Sequence, residues 1–524
     1  MKIFMLHPHD LYSELEPWTI RILSFANEFA KKGHDVKIGY FPRDSDKIPQ
    51  TSYYEGMQTI PLNRKISLIL LIKNFIQIYR LIGWADVVHL QKSHHYAAIP
   101  LLSAALLRGK PLHYDWDDWE KKIFLHSNKK SITTLLVYSF FGVLEKFIPL
   151  IADTLSVSSR RLSELCLNLG IAKERIFMAH VGADLEKFHP NVSSQEVKKR
   201  YNLQDPMVLY LGQLHDGQYV ELFIKSAEVV LEHCPQTKFM IIGGGSRFND
   251  LKNLVKSLAI EKNIIFTNSI PHSAIPAHIA AADVCVACFE ENDITRCKSP
   301  LKIAEYLASG KAIVASNVGE VRNMVGGAGI LTQAGNSVDL AAPIIKVLKD
   351  EALRTQMGLR ARERSLNKYN WRVSADNLLK AYNMALYLKN ITLEEVLISA
   401  RGFNRGNIAV DNDSFGKRLT IDTGIFPCFA EYDFYLPGEG KYELWVKYAA
   451  DTPRPCKIYF NGKLLCAEGL KDTSGGWRLD EAKWFKQVEL EMESKFHILK
   501  FISQGHLPHL EFIKFKKIVP FNLF

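Results

Sequence analysis

The chain has 524 residues, which is enough for two or three domains. With 47% hydrophobic and 23% charged residues it has the composition of a globular protein, and this excludes a disordered or fibrous chain. A net charge of +10 is compatible with binding anionic lipids or sugar phosphates. No run of Lys and Arg is long enough for a nucleic-acid-binding tail, so nucleic acid is not an expected partner.

The sequence predicts a cytoplasmic protein. The apolar run at the N-terminus is interrupted by His7 and Pro8, so it is too short for a signal peptide and is typical of a first β-strand. No uncharged stretch reaches about 18 residues, so no transmembrane helix is expected. The eight cysteines have no framework spacing, and Cys285 and Cys288 fall within an apolar strand pattern, which favours a buried strand over a metal or redox pair.

Residues 1–40 have the pattern of a βαβ unit, and residues 64–82 have that of a basic amphipathic helix. Arg64, Lys73 and Arg80 stand among Ile, Leu and Phe in this second segment. Two interpretations stay open at this point. The helix docks peripherally on the inner face of an anionic membrane, or it is a surface helix that packs on the core.

Carboxylates and tryptophans cluster after the apolar strand that begins at Pro111. Asp117 and Asp118 stand at the end of this strand, and strand ends are the ligand side of α/β sheets. A carboxylate here would act as a base or bind sugar hydroxyls, and indole faces stack on sugars. We therefore identify both aspartates as candidate catalytic residues; the alternative is a charged loop with structural tryptophans.

The stretch 297–316 predicts a loop, a helix, a turn and a strand. Ser299 is a candidate helix cap, Pro300 suits the first turn, and Gly310 suits a left-handed C-terminal cap. A helix N-terminus with free N–H groups is an anion site, and Glu305, about one turn later, is suited to accept hydrogen bonds from a diol. The stretch therefore predicts a ligand that carries both phosphate and ribose; the alternative is an ordinary βα unit without a ligand.

This stretch resembles the donor-binding element of family 4 retaining glycosyltransferases, which have the GT-B fold. Residues 180–190 also resemble the hinge of that family. The resemblance implies that Glu305 binds the donor ribose and that Asp117 occupies the position of a family histidine. It also implies contacts with the donor at positions spread over two loops and a helix. These are Gln213, Gln218, Ile270, Lys298, Ser299, Pro300, Leu301 and Lys302.

Three positions differ from the family pattern. Cys297 stands where relatives have a first glutamate, and Gln213 and Gln218 stand where they have an arginine and a lysine. Glutamine donates a hydrogen bond without charge, and charge-assisted bonds are roughly twice as strong. The diphosphate would therefore be held more weakly, or by other cations such as Lys298 and Lys302.

After about residue 392 the period changes to short alternating strands with turn signals, which predicts an antiparallel β-sandwich. It resembles carbohydrate-binding modules of families 6 and 35, which are galactose-binding-like jelly rolls. Trp445, Trp477 and Trp484 are candidate sugar-stacking residues; the alternative is that they belong to the core. No calcium is expected, because Ser-Ala-Arg at 399–401 stands where relatives have acidic ligands.

The predicted fold class is therefore α/β with GT-B architecture plus this β-sandwich. The first Rossmann-like, acceptor-side domain spans residues 1–190, with a helix at 372–390 crossing back to it. The donor domain spans 191–371, and the module spans 392–524.

The resemblance implies a metal-independent retaining hexosyltransferase that acts in cell-surface polysaccharide biosynthesis and needs no cofactor. It would move sugar from a nucleotide-sugar donor to a glycan or lipid-linked glycan acceptor. The alternative is a catalytically degenerate GT-B protein that serves as a sugar-binding scaffold.

Overall fold

The computed structural model describes residues 1–13, 19–44, 52–65, 67–127, 132–215, 219–389, 395–411, 414–416, 418–436, 438–493 and 496–518. They form two α/β domains followed by a region of antiparallel sheets. Among these residues, no helix has the length and apolar character needed to cross a membrane.

The first α/β domain is built on one eight-stranded sheet. Its strands are β1 (Lys2–Leu6), β2 (Asp35–Tyr40), β3 (Ser52–Tyr54), β4 (Met57–Pro61), β5 (Val87–Gln91), β6 (Leu112–Trp116), β7 (Thr154–Val157) and β8 (Ile176–Met178). Its helices are α1 (Ile20–Lys31), α2 (Leu68–Leu81), α3 (His95–Leu107), α4 (Glu120–Ser127), α5 (Ile132–Ile151) and α6 (Arg160–Asn168). The order is β3-β4-β2-β1-β5-β6-β7-β8, and only β3 and β4 pair antiparallel. Parallel strands buried on both faces explain the nearly continuous apolar runs.

The second α/β domain has a six-stranded parallel sheet. Its strands are β9 (Met207–Leu211), β10 (Lys238–Ile242), β11 (Ile264–Asn268), β12 (Val284–Ala287), β13 (Ala312–Ser316) and β14 (Gly329–Thr332). Its helices are α7 (Gln195–Arg200), α8 (Val220–His233), α9 (Phe248–Ser257), α10 (Ile275–Ala281), α11 (Asp293–Cys297), α12 (Leu301–Ala308), α13 (Gly319–Val325), α14 (Ser337–Lys349) and α15 (Glu351–Asn367). The order β11-β10-β9-β12-β13-β14 is that of a doubly wound sheet, and it places a ligand crevice where the order reverses, at the ends of β9 and β12. The two predicted Rossmann-like domains are confirmed.

The chain passes between the two α/β domains twice, once between β8 and α7 and once directly after α15. Gly182 lies so close to the backbone of Asn370 that a Cβ at this position would collide with it, so the crossing requires glycine. Helix α16 (Trp371–Leu388) then packs on the first domain, where the Trp371 ring meets Phe25 at a centroid distance of 5.4 Å. The end of the second domain is thereby fixed to the first.

The C-terminal region consists of two antiparallel sheets that share one apolar core. Its strands are β15 (Glu395–Ser399), β16 (Arg405–Gly406), β17 (Ile408–Val410), β18 (Thr420–Asp422), β19 (Cys428–Tyr435), β20 (Gly440–Ala449), β21 (Cys456–Phe460), β22 (Lys463–Gly469), β23 (Lys483–Met492), β24 (Phe496–Ser503) and β25 (His509–Lys517). It docks on the first domain, where the Ser399 N–H donates to the Lys32 carbonyl at 3.2 Å. The predicted antiparallel strands are present, and the jelly-roll type stays a prediction.

Candidate active site

A cavity of about 710 Å³ lies between the two α/β domains, at the carboxyl ends of both sheets. It brings together nine of the side chains that the sequence indicates. These are Asp117, Asp118, Ile270, Lys298, Ser299, Pro300, Leu301, Lys302 and Glu305. Segments far apart in sequence converge here because parallel strands all end at the same edge of their sheet.

The N-terminus of α12 points into this cavity. The helix begins at Leu301, with Pro300 as its N-cap in an extended conformation, so the first turn needs no backbone donor from proline. The Ser299 side chain makes no cap; its hydroxyl lies 3.6 Å from the sulfur of Met324, which corrects the expected capping role. The first N–H groups of α12 therefore have no side-chain cap among the described residues, which is the arrangement that suits an anion at a helix N-terminus.

The ammonium group of Lys302 lies beside this helix start without a hydrogen-bond partner among the described residues. It sits 4.2 Å from the centre of the Tyr210 ring, and Gly212 leaves room for it because a Cβ there would crowd it. Burial lowers the pKa of Lys302 to about 8. A buried cation without an anionic partner is costly, and an anionic ligand would remove that cost.

An acidic cluster from the first domain faces these lysines. Lys92 lies at its centre, with its ammonium 3.1 Å from Asp117, 3.5 Å from Asp118 and 2.5 Å from Glu120. The three carboxylates are spaced closely enough to share a cation, and the Lys92 ammonium already occupies this position. Burial raises the pKa of Asp118 to about 6, with a further contribution from Asp117 and opposition from Lys92.

A chain of hydrogen bonds supports Asp117 from behind. Asp117 accepts from the Gln91 amide at 3.1 Å, and the Gln91 oxygen accepts from His7 Nδ1 at 2.7 Å. Burial lowers the pKa of His7 to about 3, so the ring is neutral at physiological pH. Asp117 is thereby held in one orientation at the cavity wall.

Glu305 is buried one turn into α12, and its partner is a residue that the sequence did not indicate. His272 Nε2 lies 2.7 Å from the Glu305 carboxylate. Although burial opposes a charged ring, the bond to Glu305 raises the pKa of His272. One feature of the sequence could have indicated His272 as a site residue. It follows Pro271 in the loop after β11, at the ligand edge of the sheet. No side chain among the described residues donates a hydrogen bond to the other Glu305 oxygen, which leaves it available to a ligand.

Of the three positions that differ from the family pattern, the two that the structure describes lie outside the cavity lining. Cys297 is 1% exposed and packs into the apolar core of the first domain, outside the cavity lining. The Gln213 side-chain oxygen bonds to His215 at 2.7 Å, and Gln213 does not line the cavity either. Gln218 lies outside the described residues. Among the described residues that line the cavity, Lys298 and Lys302 supply positive charge at the α12 side. Arg21 also lines the cavity, and its guanidinium is paired with the Asp115 carboxylate at 2.7 Å.

The three tryptophans of the module do not form one group. Trp445 and Trp484 are partly exposed on one sheet face, where Trp445 pairs with Lys486 and Trp484 pairs with Lys447 on the neighbouring strand. Trp477 lies apart, under the Arg454 guanidinium at 3.9 Å.

The carboxylate of Glu511 on β25 is buried and paired with cations. The Lys447 ammonium lies 2.7 Å from it and the Arg418 guanidinium 3.1 Å.

Comparison with solved structures defines the class of fold. Sucrose-phosphate synthase from Thermosynechococcus elongatus superposes with a TM-score of 0.58 over 74% of this chain and 99% of its own, at 19% identity. HepE from Anabaena, solved in complex with UDP-glucose, gives 0.56 over 75% of this chain and 100% of its own, at 17% identity. The chain therefore has the GT-B glycosyltransferase fold.

Sequence comparison finds a family model that matches the second domain. Residues 192–364, a third of the chain, match the model of "Glycosyl transferases group 1". Alpha-D-kanosaminyltransferase of Streptomyces kanamyceticus is 25% identical over 44% of this chain and 60% of its own length. D-inositol 3-phosphate glycosyltransferase of Corynebacterium glutamicum is 27% identical over 46% and 59%. The matches thus span well under two thirds of these relatives.

Proposed function

We propose that this protein transfers a sugar from a nucleoside-diphosphate sugar to a glycan or lipid-linked glycan acceptor, with retention of configuration. The observation that carries the proposal is the buried ammonium of Lys302, which has no hydrogen-bond partner in the part of the chain that the structure describes. It lies beside the start of α12, one turn from the buried carboxylate of Glu305. A cation, free N–H groups and a carboxylate at this spacing complement a diphosphate joined to a ribose.

The reaction divides between the two walls of the cavity. The bond between the anomeric carbon and the phosphate oxygen breaks, the acceptor oxygen bonds to that carbon, and the acceptor proton passes to the leaving phosphate. Lys298, Lys302 and the α12 N-terminus stabilise the developing charge on the diphosphate. Asp117 and Asp118 bind the transferred sugar and orient the acceptor hydroxyl. Because two lysines supply the positive charge that a bound metal ion would otherwise supply, we expect the transferase activity to persist when EDTA removes divalent metal ions.

A thermal-shift screen against UDP, GDP, ADP, CMP and dTDP and their sugars tests the donor site. A ligand that binds only the native state stabilises it by about 2.7 kcal/mol at a hundredfold excess over Kd. UDP-glucose is the first donor to test, because the structural neighbour HepE was solved with it. A shift with one base supports the proposal. A shift with free glycans only would favour the sugar-binding scaffold, an alternative motivated by Cys297, Gln213 and Gln218, which stand where relatives have a glutamate, an arginine and a lysine.

The pH dependence tests Asp118. Because burial raises its pKa to about 6, the carboxylate form is lost as the pH falls through that value, and we expect kcat/KM to fall with it. Asp118→Asn should lower kcat/KM by roughly 10- to 100-fold and remove this acidic limb. If kcat/KM of the variant still falls at acidic pH in the same way, the titrating group is a residue other than Asp118. Asp250→Asn, at an exposed position on α9, is the control.

His272 is expected to position Glu305. His272→Ala should weaken nucleotide binding roughly tenfold, because the carboxylate loses the donor that orients it. His272→Asn keeps a donor at this position and should recover most of the affinity. Isothermal titration calorimetry measures both. Equal loss in the two variants would mean that the ring itself, through its contact with Phe188 at 5.6 Å, is what matters.

A further inference from the structure

An extensive apolar surface lies on the first domain, on the outer side of α2, α3 and α5. We call it the apolar helix face. Its members are large apolar side chains that are 37% to 74% exposed. They are Leu68, Ile69, Ile72 and Ile76 on α2, Ile99, Leu106 and Leu107 on α3, and Leu135, Phe140, Val143, Phe147 and Leu150 on α5.

The three helices are neighbours. Helix α2 packs against α3, and the rings of His95 on α3 and Phe140 on α5 meet at 5.7 Å. Their inner sides cover the sheet through residues such as Ile78 and Ile148, both fully buried. A helix that is apolar on both sides is normally buried on both sides, and large exposed apolar patches mark interaction surfaces. We therefore expect the outer side of these helices to be an interaction surface.

The charges at this face are of one sign. Helices α2 and α3 contain no Asp or Glu, and the one acidic residue of α5, Glu145, is 2% exposed. Exposed cations accompany the apolar side chains, namely Lys73, Arg80, Arg108 and Lys146. A second copy of the chain on a twofold axis would place these cations against one another, which disfavours a dimer. Apolar side chains among cations complement a bilayer with anionic headgroups.

We propose that the apolar helix face docks the protein peripherally on an anionic lipid bilayer. The topology gives this docking a consequence for the cavity. Strands β4, β5 and β6 run parallel and end at the cavity edge, and α2 and α3 directly follow β4 and β5 in the chain. Helix α5 comes after α4, packs against it and leads into the parallel strand β7. Helices α2 and α3 therefore begin on the cavity side of the sheet, and all three helices run away from that side. A docked protein holds the cavity rim next to the membrane, where an acceptor carried on a lipid reaches it.

Co-sedimentation with vesicles tests the docking without any transfer reaction, so its outcome is separate from that of the proposed function. The full chain is mixed with vesicles of phosphatidylcholine, or of equal parts phosphatidylcholine and phosphatidylglycerol. We expect binding to the anionic vesicles that weakens with salt. The double variant Ile72→Glu/Val143→Glu should lose binding at least tenfold. Val338→Glu/Leu359→Glu, at exposed apolar positions of the second domain, is the matched control and should bind as the unchanged protein does.

A second pair of variants tests the cations. Lys73→Gln/Lys146→Gln should lower binding to the anionic vesicles several-fold and leave binding to neutral vesicles unchanged. Lys225→Gln/Lys349→Gln, exposed on the second domain, matches the change in net charge and should have little effect. An unchanged melting temperature shows that each variant is folded. The proposal is overturned if the unchanged protein does not bind vesicles or if Ile72→Glu/Val143→Glu binds equally well. It is also overturned if sedimentation shows a dimer that this double variant dissociates.

Discussion

Replacing Lys302 with methionine is expected to lower kcat/KM by about 10²- to 10³-fold, the usual effect of removing one group that stabilises a developing anion. The methionine keeps most of the apolar stem of the side chain and removes the ammonium, which lies 4.2 Å from the centre of the Tyr210 ring, so the loss reports on the charge. Nucleotide binding should weaken with it. Lys349→Met, on an exposed part of the same domain, is the control and should keep full activity.

The same variant should unfold at a higher temperature. Burial lowers the pKa of Lys302 to about 8 in the folded protein, so the charged form is disfavoured in that state at neutral pH. Between about pH 8 and 10.5 the unfolded chain holds more protons, and the contribution of Lys302 to stability rises with pH across this window. Lys302→Met should remove that rise. Melting temperatures at neutral pH and at about pH 9.5 measure it, and a variant that is both inactive and less stable would indicate a structural role instead.

Glu305→Gln is expected to weaken nucleotide binding by roughly 10- to 100-fold, because hydrogen bonds to a charged group each contribute about 1.5–3 kcal/mol. Glutamine preserves the shape and still accepts a hydrogen bond, so the fold and the bond with His272 should remain. Calorimetry measures the affinity, and Glu228→Gln on the exposed side of α8 is the control.

Binding of deoxynucleotides tests whether Glu305 accepts hydrogen bonds from the ribose hydroxyls. The unchanged protein should bind the ribonucleotide more tightly than its 2′-deoxy or 3′-deoxy form. Glu305→Gln should bind all three with similar affinity, because the group that distinguishes them is gone. If the preference survives in the variant, another residue contacts the diol and the assignment of Glu305 is wrong.

Much of the donor-side wall was predictable because it is local in sequence. The periodicity of residues 301–308, the left-handed Gly310 and the strand at 312–316 correspond closely to the structure. The position of Glu305 one turn after the helix start follows from the helical repeat alone. The alternation of strands and helices likewise predicted two doubly wound sheets, since parallel strands need helical crossovers.

The order of elements, the helix that offers its N-terminus and the carboxylates at a strand end all follow from the amino-acid sequence. Which of these groups meet depends on how the domains pack. His272 and Glu305 are 33 residues apart, and the two sheets had to be placed face to face before Asp118 could lie near Lys298. This packing also determines that Cys297 belongs to the core of the other domain and that the outer side of α2 faces solvent. Local patterns specify which residues are apolar. The packing of neighbouring elements determines which of those residues are covered.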